Sequence, residues 1–197
     1  MKLIESKTYI NLAKAYAGEC QARTRYKFMK YGAEQQSMKA MAKLIENVIC
    51  EEFQHARMLY TFIQTASDKT IENIDISSGY PFKQKWNLLE NLKLAAEDEN
   101  LEATKIYPEY AKIAKQEGFT DIAGLFNNLI QVETCHKMLF QQMYDQMKNN
   151  TMYKKAKAVK WKCGDCGYEE TLKEAWTECP LCQAKQGAVL LKIEDAN

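Results

Sequence analysis

The sequence predicts a mainly α protein: a four-helix bundle followed by a small module held together by metal. Three observations carry this. Glycine and proline are scarce, 8 and 3 of 197 residues, among long runs of Ala, Leu, Lys, Glu, Gln and Met. Apolar residues recur at steps of three and four along four long stretches. Four of the seven cysteines, Cys163, Cys166, Cys179 and Cys182, gather near the C-terminus.

The first helix is expected over 5–31, stopping near Gly32, and the second over 36–66. The stretch 67–85 is a long connection, as the crossover of a bundle requires. The third helix is expected from about Trp86 to 117, closed by Gly118, and the fourth over 119–149. Pro108 falls inside the third pattern. It cannot donate to the carbonyl of Thr104, so a kink or bulge is expected there. Residues 1–150 thus form the bundle. Residues 151–159 read as a basic, weakly periodic linker. Residues 160–197 are too few to support a core, and such modules need a metal or disulfides.

Composition narrows the function. A net charge of +1 gives no electrostatic case for nucleic acid or an anionic membrane. No apolar run reaches the roughly 18 residues of a membrane helix. The N-terminus already reads as an amphipathic helix, not a signal peptide, so a cytoplasmic protein is expected. The odd cysteine count argues against a disulfide framework. Cys20, Cys50 and Cys135, scattered through the helices, read as small buried apolar residues.

The apolar stripes carry charged residues. The second helix runs Met41, Ile45, Val48, Glu52, His55, Leu59; the fourth runs Ile122, Phe126, Leu129, Glu133, His136, Phe140, Met143. The third runs Leu88, Leu92, Ala95, Glu99, Glu102, and the first places Glu19 with Leu12, Tyr16 and Tyr26. Both histidines of the chain follow a glutamate by three residues, which puts each pair on one helix face. Five glutamates and two histidines are therefore expected to converge. Buried carboxylates cost several kcal/mol each unless paired or metal-bound. No Lys or Arg lies on these stripes, Arg23 apart, so two divalent cations are the expected partners; iron or manganese suits such ligands, and they can also take zinc.

In the tail, Cys-Gly-Asp-Cys and Cys-Pro-Leu-Cys form two knuckles separated by 12 residues, a tetrahedral thiolate site. Zinc would make it structural; iron would make it a one-electron carrier. The flanking Trp161, Tyr168 and Trp176 lean to iron.

The stretches AYAGECQARTRY (15–26), EEFQH (51–55), ENLEATKIYPEYA (99–111) and VETCH (132–136), with the two knuckles, resemble the rubrerythrins over nearly the whole chain. The resemblance implies a ferritin-like di-iron bundle with a rubredoxin-like tail and three irons per chain. It implies Glu19 as a terminal ligand of iron 1, Glu52 and Glu133 as bridges, and Glu99 with His136 on iron 2. His55 and Glu102 would be the alternative ligands between which iron 1 moves on oxidation. Tyr26 and Tyr107 would hydrogen-bond ligand carboxylates. The implied activity is reduction of hydrogen peroxide to water in oxidative-stress defence. The implied reductants are NAD(P)H-linked external proteins such as a rubredoxin or its reductase, and at least a homodimer is implied. The rival expectations are an O2-consuming ferroxidase or oxidase, and a metal-binding interaction protein with a zinc ribbon.

Overall fold

The structure, a computed structural model, describes residues 1–77, 79 and 87–194. Trp86 and most of the second half of the crossover lie outside the described residues. Helix α1 spans Lys7–Gln35, α2 Lys39–Gln64, α3 Leu88–Leu101, α4 Tyr107–Glu117 and α5 Thr120–Lys148. A π-helical segment, Glu102–Ile106, joins α3 to α4, so that these two make the third long helix of the bundle.

Local chemistry sets the ends. Ser6 caps α1 by accepting from the Tyr9 N–H, and Asn87 caps α3 by accepting from Glu90 N–H. Gly118, at φ 89°, closes α4 in the left-handed conformation that glycine adopts without strain. Helix α1 runs past its expected stop at Gly32. One helical glycine costs only about 1 kcal/mol, and the fully buried Ala33 repays it. Ser37, at φ 58°, makes the turn instead. The Pro108 bulge is present as the π segment, one turn before the proline.

The bundle interior has two apolar layers. One gathers Ala22, Tyr26, Met41, Ile45, Leu92 and Phe140. The other gathers Leu12, Leu59, Tyr107, Ala111, Phe126 and Leu129. On each long helix the charged stripe residues fall in the gap between the layers: Glu19, then Glu52 and His55, then Glu99 and Glu102, then Glu133 and His136. The antiparallel threading brings the four gaps to one level.

Two expectations are corrected. The segment expected as a linker is strand from Lys154 on: β1, Lys154–Lys162, pairs antiparallel with β2, Glu169–Glu174. Its alternation of lysines with Val159 and Trp161 is the period of a strand, and Trp161 is fully buried. Cys50 and Cys135 are exposed and Cys20 partly so. Cys20 and Cys135 are sequence neighbours of inward residues, and one helical step turns a side chain by about 100°.

The tail packs on the bundle. Met152 and Leu191 join the first apolar layer. Gln142 exchanges two 2.8 Å hydrogen bonds with the Glu194 backbone, and Lys39 pairs with Asp165. Gly187 lies so close to the Ser37 turn that a Cβ there would sit 1.7 Å from the Ser37 carbonyl oxygen.

Candidate metal centres

Between the two apolar layers, ligand atoms form two groups: Glu19, Glu52, His55 and Glu133, and Glu52, Glu99, Glu133 and His136. Within each group the atoms lie within 4.8 Å of one another. Glu52 and Glu133 belong to both. His55 Nδ1 stands 3.2 Å from Glu133, 3.3 Å from Glu52 and 3.4 Å from Glu19. His136 Nδ1 stands 2.9 Å from Glu133 and 3.0 Å from Glu52. The two rings stack at 5.8 Å.

Burial makes this costly. Glu19, Glu52, Glu99 and Glu133 are at most 1% exposed. Burial, then the neighbouring Glu52, pushes the Glu19 carboxyl well above its ordinary pKa. Burial, with Glu52 and Glu133, does the same to Glu99. Burial disfavours the His55 cation, but its contacts with Glu133, Glu19 and Glu52 outweigh that and push it up to about 12. Metal-free, the cluster must hold itself together with protons.

The donor set fits metal ions. Buried atoms aimed at the centre make no hydrogen bond: Glu19 Oε2, Glu52 Oε1, His55 Nδ1, Glu99 Oε2, both Glu133 oxygens and His136 Nδ1. Lone pairs left bare at such a cost are what two cations would take up. Arginine does not neutralise them. Arg23 lies over the Phe53 ring, and Arg25 pairs with Asp98. Tyr26 donates to Glu99 and Tyr107 donates to Glu19, fixing the outer two carboxylates.

Glu102 is the expected residue that stands apart. It belongs to neither group. Its Oε1 lies 3.6 Å from where a Cβ of Gly18 would sit, beside a cavity of about 90 Å³ also lined by Gln21, Tyr107 and Tyr110. In this structure His55, not Glu102, faces Glu19. Sequence reasoning missed Glu51, whose carboxylate reaches His136 Nε2 at 2.8 Å. Its neighbour Glu52 drew the attention, and an exposed glutamate gives no periodic signal.

The four tail cysteines also converge. Sγ atoms of Cys163 and Cys182, and of Cys166 and Cys179, are 3.7 Å apart. That is far beyond a disulfide of about 2.05 Å. It matches the edge of a tetrahedron with metal–sulfur bonds of about 2.3 Å. Each knuckle closes with a backbone bond, Gly167 N–H to Cys163 and Gln183 N–H to Cys179. Burial opposes ionisation of Cys179, but the N–H groups of Cys182 and Leu181 lower its thiol to about 7.

The rubrerythrin family profile matches residues 11–144. The chain belongs to the rubrerythrin family. It is 35% identical to a rubrerythrin of Clostridium perfringens over 90% of both chains. It is 33% identical to a putative rubrerythrin of Methanocaldococcus jannaschii, over 95% of this chain and 93% of that one. Mixed-valence nigerythrin shares the fold, with TM-score 0.62 at 22% identity, over 95% of this chain and 90% of that one. Rubrerythrin membership and the ferritin-like fold make this an iron-dependent oxidoreductase of oxidative-stress defence. The carboxylate–histidine cluster and the four-cysteine cluster fit the iron sites of a rubrerythrin.

Proposed function

We propose that this protein reduces hydrogen peroxide to water at the bundle centre and regains its electrons singly through the four-cysteine site. The observation that carries the reading is one chain holding both a pair of ligand groups that share Glu52 and Glu133 and a tetrahedral thiolate cage. The reaction balances as H2O2 + 2 H⁺ + 2 e⁻ → 2 H2O. Glu19, Glu52, His55, Glu99, Glu133 and His136 would hold the iron pair, with Glu102 as a reserve carboxylate. A ferrous pair held there would supply two electrons and Lewis-acid stabilisation of developing oxide charge. Tyr26 and Tyr107 keep Glu99 and Glu19 oriented. The apolar layers on either side exclude bulk water. The cavity beside Glu102, about 90 Å³, takes a molecule of peroxide size. Burial, with Glu133 and Glu52, raises the Glu102 carboxyl well above its ordinary pKa, so it can hold a proton there.

Stopped-flow mixing of reduced, iron-loaded protein with peroxide, and separately with O2, tests this. Rapid return of the ferric–thiolate colour with peroxide, and slow return with O2, is expected. The opposite preference would make the protein an oxidase or ferroxidase. Cys179→Ser should keep a single turnover and lose multiple turnover with a protein donor such as a rubredoxin.

Lys39, which pairs with the first knuckle, stands 13 residues before Glu52 on α2, about 20 Å along the axis. Such a span favours transfer from the tail of one chain to the bundle of another, in at least a dimer. Mixing Cys179→Ser chains with Glu52→Ala chains should then restore multiple turnover that neither shows alone.

A further inference from the structure

His136 and His55 face the same two shared carboxylates but are held differently from behind. Helix α2 addresses both nitrogens of His136. Glu52 stands 3.0 Å from Nδ1, and the preceding residue, Glu51, stands 2.8 Å from Nε2. Consecutive helical residues diverge by about 100°, so neighbouring glutamates can reach opposite edges of one ring. The His136 side chain is 4% exposed, whereas that of Glu51 is 53% exposed, so water carries much of the cost of the charge on Glu51. His55 is held otherwise. Among the described residues no group hydrogen-bonds its Nε2, and its side chain is 11% exposed.

A neutral imidazole carries one N–H, and the partner of that N–H decides which nitrogen is left bare. From this geometry we infer that Glu51 is a positioning residue. It accepts the Nε2–H of His136 and so fixes Nδ1 as the bare nitrogen aimed at the metal. The inference rests on the two-metal reading of the bundle. A carboxylate behind a ligand histidine fixes its ring and raises its basicity, and losing it typically weakens metal binding about 10–100-fold.

The test is anaerobic titration of the full-length, metal-free protein with Fe(II) and with Co(II), for wild type, Glu51→Ala and Glu51→Gln. In Glu51→Ala, one of the two bundle ions should bind about 10–100-fold more weakly. The other bundle ion and the tail ion should bind as in wild type. Glu51→Gln, whose amide oxygen still accepts, should recover most of the loss. Proton NMR of the Co(II)-loaded protein gives a readout independent of affinity. Wild type should show two shifted imidazole N–H signals, one exchanging slowly with solvent, and Glu51→Ala should lose the slow one. Normal two-ion uptake in wild type, with unchanged affinities and signals in Glu51→Ala, would overturn the role of Glu51 alone. A wild-type bundle that binds fewer than two ions would overturn the two-metal reading and this role with it.

Discussion

Two tyrosine hydroxyls each close one end of the carboxylate cluster, Tyr26 on Glu99 and Tyr107 on Glu19. A buried acceptor that loses its donor costs about 1–3 kcal/mol. Tyr107→Phe should therefore lower metal-free stability by about 1–3 kcal/mol in urea unfolding, and no change would mean the hydroxyl does not hold Glu19. The cluster also sets a pH dependence. Glu19 and Glu99 have raised carboxyl pKa values, and His55 is raised to about 12 from 6.5. In each case the folded state binds the proton more tightly than the unfolded chain. Their stabilisation is complete below the unfolded pKa and is lost as pH rises towards the folded one. Glu52 is shifted downward, so its contribution is lost only as pH falls below the ordinary carboxylate range. The Tm of the metal-free protein should therefore fall between pH 6.5 and 9. Iron-loaded protein should show a much flatter profile, because metal displaces those protons. A Tm of the metal-free protein that rose over that window would contradict the proton-held cluster. In the tail, Gln183 holds φ 62° where the other knuckle has Gly167 at φ 78°. Gln183→Gly should stabilise the tail by about 0.5–1 kcal/mol, read as slower loss of its metal to a chelator.

The element that shapes the site most is the π segment Glu102–Ile106. Glu99 and Tyr107 are eight residues apart, and in a regular α-helix they would point about 80° apart. Widening one turn absorbs a residue. The two then align as if seven apart, so both face the cluster and donate or accept there. It also meets the demand of Pro108, which would otherwise clash with the turn before it. Deleting the exposed Thr104 in a Pro108→Ala background should convert the segment to α-helix while keeping the bundle folded. Deleting Thr134 from the regular α5 should rotate everything beyond it, His136 included, and abolish metal uptake. Equal tolerance of the two deletions, judged by circular dichroism and metal content, would show that the π turn absorbs no extra residue. The proline announced this feature in the sequence. Its hydrogen-bond pattern was not legible there, because the same residues could have ended the helix.

At the scale of the molecule, the four-cysteine tail is fastened to the bundle by hydrogen bonds, an ion pair and two closely packed contacts. Leu191 and Met152 enter an apolar layer of the bundle, and Gly187 meets the Ser37 turn backbone to backbone. Gly187→Ala cannot keep that approach. It should loosen the tail, seen as faster proteolysis between α5 and β1, while the four-cysteine metal stays bound. Loss of the tail metal in that variant would show instead that docking holds the cage together.

What the sequence determined by itself is the bundle, the two knuckles and the inward placement of Glu19, Glu52, His55, Glu99, Glu133 and His136. Each rests on a period or spacing that a single chain records: 3.6 residues for a helix, three for Glu-x-x-His, and two short knuckles for a thiolate cage. The tail strand β1 was hidden because its lysine-rich alternation buries little besides Trp161. Tertiary structure alone decided which ligands stand together. It set Glu19 with His55 and left Glu102 beside Gly18, a choice made by how α3, α4 and α1 pack. It also brought Glu51 to the back of His136. Contacts between residues 85 positions apart follow from helix packing, which no local period encodes.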